Sequence, residues 1–203
     1  MFRDSMQTHR NLTWAFVGSH AIDELTHARW TSYLISARTI EVPAFTEAET
    51  RLLLTEPMKY SPMWEKGAPN RPRFAAALWG DGGIQRIHSE AGGWPHLVQL
   101  IAETVVDLLN EKGIPQVVPD LLEQALDLAV VRGHIVLYEL LRGESRLPGE
   151  WEYLSAFRAR QTQPLPADEA VSSSLRRRLL VAEVDGQCRL RVPLMSRWLS
   201  LRG

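Results

Sequence analysis

The chain has 203 residues, 45% hydrophobic and 23% charged, at a formal net charge of −1, which describes a globular protein with room for one large or two small cores. Balanced charge excludes a general attraction to nucleic acid or anionic membrane, so any such contact needs a local patch. Cys188 is the only cysteine, which excludes an intrachain disulfide framework and a cysteine-based zinc knuckle and points to a reducing compartment. No apolar run reaches the roughly 18 residues that span a bilayer, and the start of the chain lacks a signal-peptide core, so the expected location is cytoplasmic, with no membrane partner.

Leu12-Thr13-Trp14-Ala15-Phe16-Val17, closed by Gly18-Ser19, is a nearly continuous apolar run and predicts a strand buried on both faces of a parallel sheet. A helix from Ala21 into Ala28 and a short strand, Thr39-Ile40-Glu41-Val42, stopped by Pro43, follow it. Two strands and a helix do not complete a doubly wound domain, so residues 1–44 are expected to supply only the last strands of one.

From Phe45 the pattern turns helical. Thr46-Glu47-Ala48-Glu49 has the spacing of a capping box ahead of Leu52, Leu53 and Leu54. Residues 57–83, rich in proline, glycine and aromatics including Trp64 and Trp79, predict an irregular crossing. Ile84 to Ala91 predicts a short helix closed by Gly92. After Gly92-Gly93-Trp94-Pro95, the residues Leu97, Leu100, Ile101, Thr104, Val105, Leu108 and Leu109 fall on one face of a helix that Gly113 ends. Two glycines permit positive φ and close backbone approach, and proline suits a first helical turn. On their own these four residues read first as a plain connector between two helices, because such Gly/Pro punctuation is common there.

Asp120 is the expected cap of a further helix through Ala129, with another beyond Gly133-His134 to Gly143 and a short one from Trp151 to Arg160. Pro164 and Pro166 predict a boundary, and Ala167 to Leu179 a helix. Asp185-Gly186 then joins Val181–Val184 to an alternating run of Cys188, Leu190 and Val192, a strong hairpin signal. Helices followed by a hairpin give the order of a winged helix.

This order of elements resembles the C-terminal part of a prokaryotic AAA+ or STAND-type P-loop ATPase, over nearly the whole chain. The resemblance implies an α+β, mainly α, chain: a remnant of the parallel P-loop NTPase sheet (1–44), an α-helical lid (45–113) and a C-terminal winged helix (114–203). It places Ser19, with His20 beside it, where such ATPases carry the polar sensor of the nucleotide γ-phosphate. It also matches Gly93-Trp94-Pro95 to the Gly-x-Pro element against the adenine, with His96 adjacent. The departures limit what the chain does alone. It contains no Gly-x-x-x-x-Gly-Lys-[Ser/Thr] and no Asp-Glu strand end before Leu12, the parts that cradle phosphates and hold magnesium. ATP or ADP with magnesium is therefore expected only if an upstream P-loop segment or a partner chain supplies those parts, and no catalytic or metal-ligating residue is assigned. Arg29, Arg38 and Arg86 match no motif of a transition-state donor. If the missing strands are not supplied, the exposed edge and face of Leu12 to Val17 are expected to make the chain self-associate or recruit a partner.

The alternative reading is a free-standing winged-helix adaptor that binds DNA or protein. Arg176, Arg177 and Arg178, near the end of the helix that would enter a major groove, and Arg189 and Arg191 on the hairpin form its basic patch. Cations at a helix C-terminus also favour the helix dipole without any ligand. Cys188, on the same side of its strand as Leu190 and Val192, is expected to be a small buried hydrophobe. The six histidines show no helical zinc spacing, and Ser172-Ser173-Ser174 lacks the glycines of a nucleophile elbow.

Overall fold

The computed structural model describes residues 40, 42–63, 65, 69, 71–143 and 147–202. The chain divides at Pro43/Ala44, and every element named below belongs to the unit Ala44–Gly203. The expected strand Leu12–Val17, the helix from Ala21 and Ser19 lie outside the described residues. So does most of Thr39–Val42, of which Ile40 and Val42 are described and sit in no regular element.

Helix α1, Glu47–Thr55, starts with the expected capping box: the Glu49 amide donates to Thr46 Oγ1 at 3.3 Å and the Thr46 amide to Glu49 Oε2 at 2.8 Å. The Thr46 hydroxyl also donates to Glu49 Oε2 at 2.8 Å, and the amide and hydroxyl bonds from Thr46 to that oxygen favour the carboxylate and hold Glu49 below its usual pKa. The crossing that follows is pinned rather than loose. Phe74 donates its amide to Thr55 O at 2.9 Å, Arg71 pairs with Glu56 at 3.2 Å, and a 3-10 turn, Ala76–Trp79, buries Trp79.

Helices α2 (Gly83–Ala91), α3 (Pro95–Lys112) and α4 (Pro119–Arg132) form the helical layer. Gly92 and Gly113, both left-handed, close α2 and α3 as expected of C-terminal glycines. Leu97, Val98, Ile101, Thr104, Val105, Leu108 and Leu109 are buried along one side of α3 and meet Leu121, Leu122, Ala125, Leu126, Ala129 and Val130 of α4. Two cross-links, Arg132 to Asp107 at 2.6 Å and Lys112 to Gln124, show that the two helices run antiparallel. Asp120 does not cap α4. Val118 occupies the cap and Pro119 the first helical position, leaving Asp120 in the first turn, where its charge faces the positive end of the dipole.

Helix α5, His134–Tyr138, widens into a π turn over Glu139–Gly143 and is followed by α6, Glu150–Ser155. Thr162–Pro164 is a strand, β1, rather than a boundary. It pairs antiparallel with β3 (Gln187–Leu190), which pairs in turn with β2 (Val181–Val184), giving the order β1-β3-β2. Pro164 is tolerated because an edge strand can lack one donor. The β2–β3 turn has Asp185 at φ 52 and Gly186 at φ 72, the two positive φ values of a type I′ hairpin turn.

Between β1 and β2 lies α7, Glu169–Arg177, capped by Asp168 through a 2.8 Å bond from the Ala170 amide. Asp168→Ala is expected to lower unfolding free energy by about 1 kcal/mol, read as a shift in urea midpoint at unchanged m-value.

Past Val192, where the sequence patterning predicted no element, the chain forms α8, Pro193–Arg202. Leu194, Met195, Trp198 and Leu199 bury one face of it against α2, α4, α5 and the 3-10 turn Ala156–Arg158. The described fold is thus mainly helical with one small antiparallel sheet, and none of its helices is long and apolar enough to cross a membrane.

Candidate functional site

The turn between α2 and α3 has a conformation only glycine accepts easily. Gly92 and Gly93 stand at φ 58 and 72, and their amides return to Ser89 O and His88 O, each at 3.1 Å. Space matters as much as φ here. A Cβ on Gly92 would lie 2.7 Å from Arg191 O and 2.9 Å from Val192 Cγ2, and one on Gly93 would lie 2.4 Å from Phe45 O. The Phe45 amide also donates to Gly93 O at 2.7 Å. The turn is therefore wedged between the chain entering α1 and the chain leaving β3.

Trp94, extended at φ −74 and ψ 118, is the residue before α3, and Pro95 is its first helical residue. Trp94 O accepts from the Leu97 and Val98 amides at 3.0 and 2.9 Å, and proline has no N–H. Trp94 is half-buried against the core, whereas Pro95 and His96 are exposed. The Trp94 and His96 rings sit 5.7 Å apart at 51°. Partial desolvation lowers the His96 pKa, which favours a neutral imidazole at pH 7. Beneath the turn, His88 Nδ1 and Thr50 Oγ1 are 2.9 Å apart.

No protein-family model, curated protein or solved structure matches the chain.

Of the residues singled out in the sequence, Gly93, Trp94, Pro95 and His96 are contiguous at the start of α3, and Ser19 lies outside the described residues. The five arginines divide. Arg176 pairs with Glu183 at 3.2 Å, and Arg178 donates to Leu140 O at 2.6 Å and lies 3.5 Å from the fully buried Glu150. Arg177 is exposed in the last turn of α7. Arg189 is exposed opposite Ala182 and Thr162, and Arg191 is half-buried just past β3. Cys188 is buried, as its alternation with Leu190 implied.

Sequence reasoning missed an ion-pair cluster next to the turn. Arg197 of α8 reaches Glu123 at 2.5 Å, Asp127 at 3.0 Å and Glu90 at 3.7 Å, while Arg86 reaches Glu90 at 3.0 Å and Glu123 at 3.1 Å. Burial raises the Glu90 pKa despite the two arginines, whereas the bond from Arg197 lowers that of Glu123. Arg197, which burial alone would push down, is held above its ordinary value by Glu123 and Glu90. The four-residue spacings Arg86–Glu90 and Glu123–Asp127 were visible in the sequence; their shared partner on α8 was not. A surface hollow of about 420 Å³, lined by Arg73, Phe74, Ala75, Ala77, Leu78, Pro115 and Gln116, shares no residue with either group.

Proposed function

We propose that this chain is the nucleotide-sensing lid and winged-helix regulatory portion of an AAA+ or STAND-type ATPase, unable to hydrolyse ATP by itself. The observation that carries the reading is the Gly92-Gly93-Trp94-Pro95 turn. It presents Pro95 and His96 outward at the mouth of a helix whose other face is core, with Trp94 half-exposed beside them. Such a surface suits the flat, largely apolar face of a purine. The arrangement of α6, β1, α7 and the β2–β3 hairpin supports the winged-helix part. Ser19 is the proposed sensor on the nucleotide side.

The described residues offer a face for a base but no cradle for phosphates, so ATP or ADP with magnesium would be held mainly by an upstream P-loop segment or a partner chain. Nucleotide contact would bias the turn, and the turn's wedged packing would pass that bias to the end of β3.

The test is a MgATP titration of the chain alone and of the assembly that includes the P-loop segment. The expected result is no binding alone, and in the assembly an affinity weakened about tenfold by Pro95→Ala or His96→Ala with thermal stability retained. ATP hydrolysis by the chain alone, or unchanged affinity in both variants, rejects the proposal.

A further inference from the structure

We infer that the outer face of the three-stranded sheet, centred on Arg189, binds the phosphate backbone of nucleic acid. The inference does not rest on the nucleotide-sensing reading. Register divides the sheet into two faces. Gln163, Val181, Cys188 and Leu190 are buried on the inner one. Thr162, Arg189 and Ala182 lie level across the outer one, followed by Pro164, Gln187 and Val184. No position on that outer face carries a carboxylate. Glu183 lies on the inner side, where it pairs with Arg176.

Arg191 follows β3 at the end where Arg160 leads into β1, so three arginines gather about one end of the face. Among the described residues, the guanidinium groups of Arg160, Arg189 and Arg191 have no ion pair or hydrogen bond, whereas those of Arg176 and Arg178 are engaged within the protein. In a chain of net charge −1, this is a local concentration of uncompensated positive charge.

The chemistry favours phosphates over an acidic protein. Arginine forks match phosphate oxygens two bonds at a time, and Thr162 and Gln187 add the neutral donors that commonly reach phosphate and sugar. A protein partner would require an apolar centre to bury, and the face offers only Val184 as a large exposed apolar side chain. The floor of Thr162 and Ala182 beside Arg189 is small enough for a backbone to approach closely.

The test is fluorescence anisotropy of a labelled mixed-sequence DNA duplex titrated with the whole chain over a salt series. Three phosphate contacts predict that log K falls with log salt at a slope of about −2 to −3. Arg189→Gln is expected to weaken binding several-fold and to reduce the slope by about one. Joint replacement of Arg160, Arg189 and Arg191 by Gln should abolish binding while leaving the thermal midpoint near wild type. Three results would overturn the inference: no binding at low salt, loss on Arg176→Gln and Arg177→Gln but not on Arg189→Gln, or polyglutamate competing as well as unlabelled duplex.

Discussion

Gly93→Ala is expected to cost about 2–4 kcal/mol of stability, combining a side chain at positive φ with overpacking against backbone. The added Cβ would sit 2.4 Å from Phe45 O, an atom fixed by its own chain, and cannot be relieved by a change of rotamer. Gly113→Ala supplies the comparison, because Gly113 has φ 63 but nothing within 4 Å of its Cβ position. That variant should lose only the conformational part, about 1 kcal/mol. Gly92→Ala should fall nearer Gly93→Ala, since its contacts include Arg191 O at 2.7 Å. Urea unfolding followed by circular dichroism gives all three values; equal losses at Gly93 and Gly113 would show that the turn has room and that close approach is not what glycine provides there. The result also bears on function. If packing explains both glycines, they are not themselves evidence for a ligand, and the nucleotide reading rests on Trp94, Pro95 and His96.

The parts legible in the sequence were those specified by neighbours along the chain. Thr46 and Glu49 close their capping box three residues apart, Gly92 and Gly113 end their own helices, and Asp185-Gly186 makes its own turn. The candidate turn was legible for the same reason, since its residues are consecutive. Strand β1 was not, because a three-residue segment ending in proline becomes a strand only by pairing with β3, some 25 residues later. Helix α8 carried a readable spacing of Leu194, Met195, Trp198 and Leu199, yet what makes it a helix worth burying is the surface of α2, α4 and α5. The split among the arginines likewise depended on register. Arg189 and Glu183 are close in sequence but lie on opposite faces because side chains alternate along a strand. The Arg197–Glu123 pair joins residues 74 positions apart, a separation that no local pattern reports.

Arg197→Met is expected to destabilise the chain by about 1–3 kcal/mol at neutral pH, and by less in acid. Glu123 and Asp127 are about half exposed, so their pairs with Arg197 contribute little; Glu90, with 6% of its side chain exposed, dominates the loss. In the wild type, burial already raises the Glu90 pKa, with Arg197 the strongest influence holding it down. A carboxyl raised on folding contributes stability that is present below its unfolded pKa, near 4.3, and is lost as pH rises through the folded value. Removing Arg197 raises Glu90 further and extends that loss to higher pH. Glu123 acts in the opposite sense: its lowered pKa gives the wild type stability above about pH 4.3 that is lost as pH falls. Both effects make the gap between variant and wild type widest near pH 7 and smaller near pH 4.5. A gap independent of pH would assign the loss to the packed stem of Arg197 rather than to its charge. In a Glu90→Gln background, where no buried carboxylate is left to lose its partner, Arg197→Met should cost distinctly less than it does alone. That coupling would show that the Gly92-Gly93 turn and the C-terminal helix are tied through Glu90, the buried carboxylate two residues before the turn.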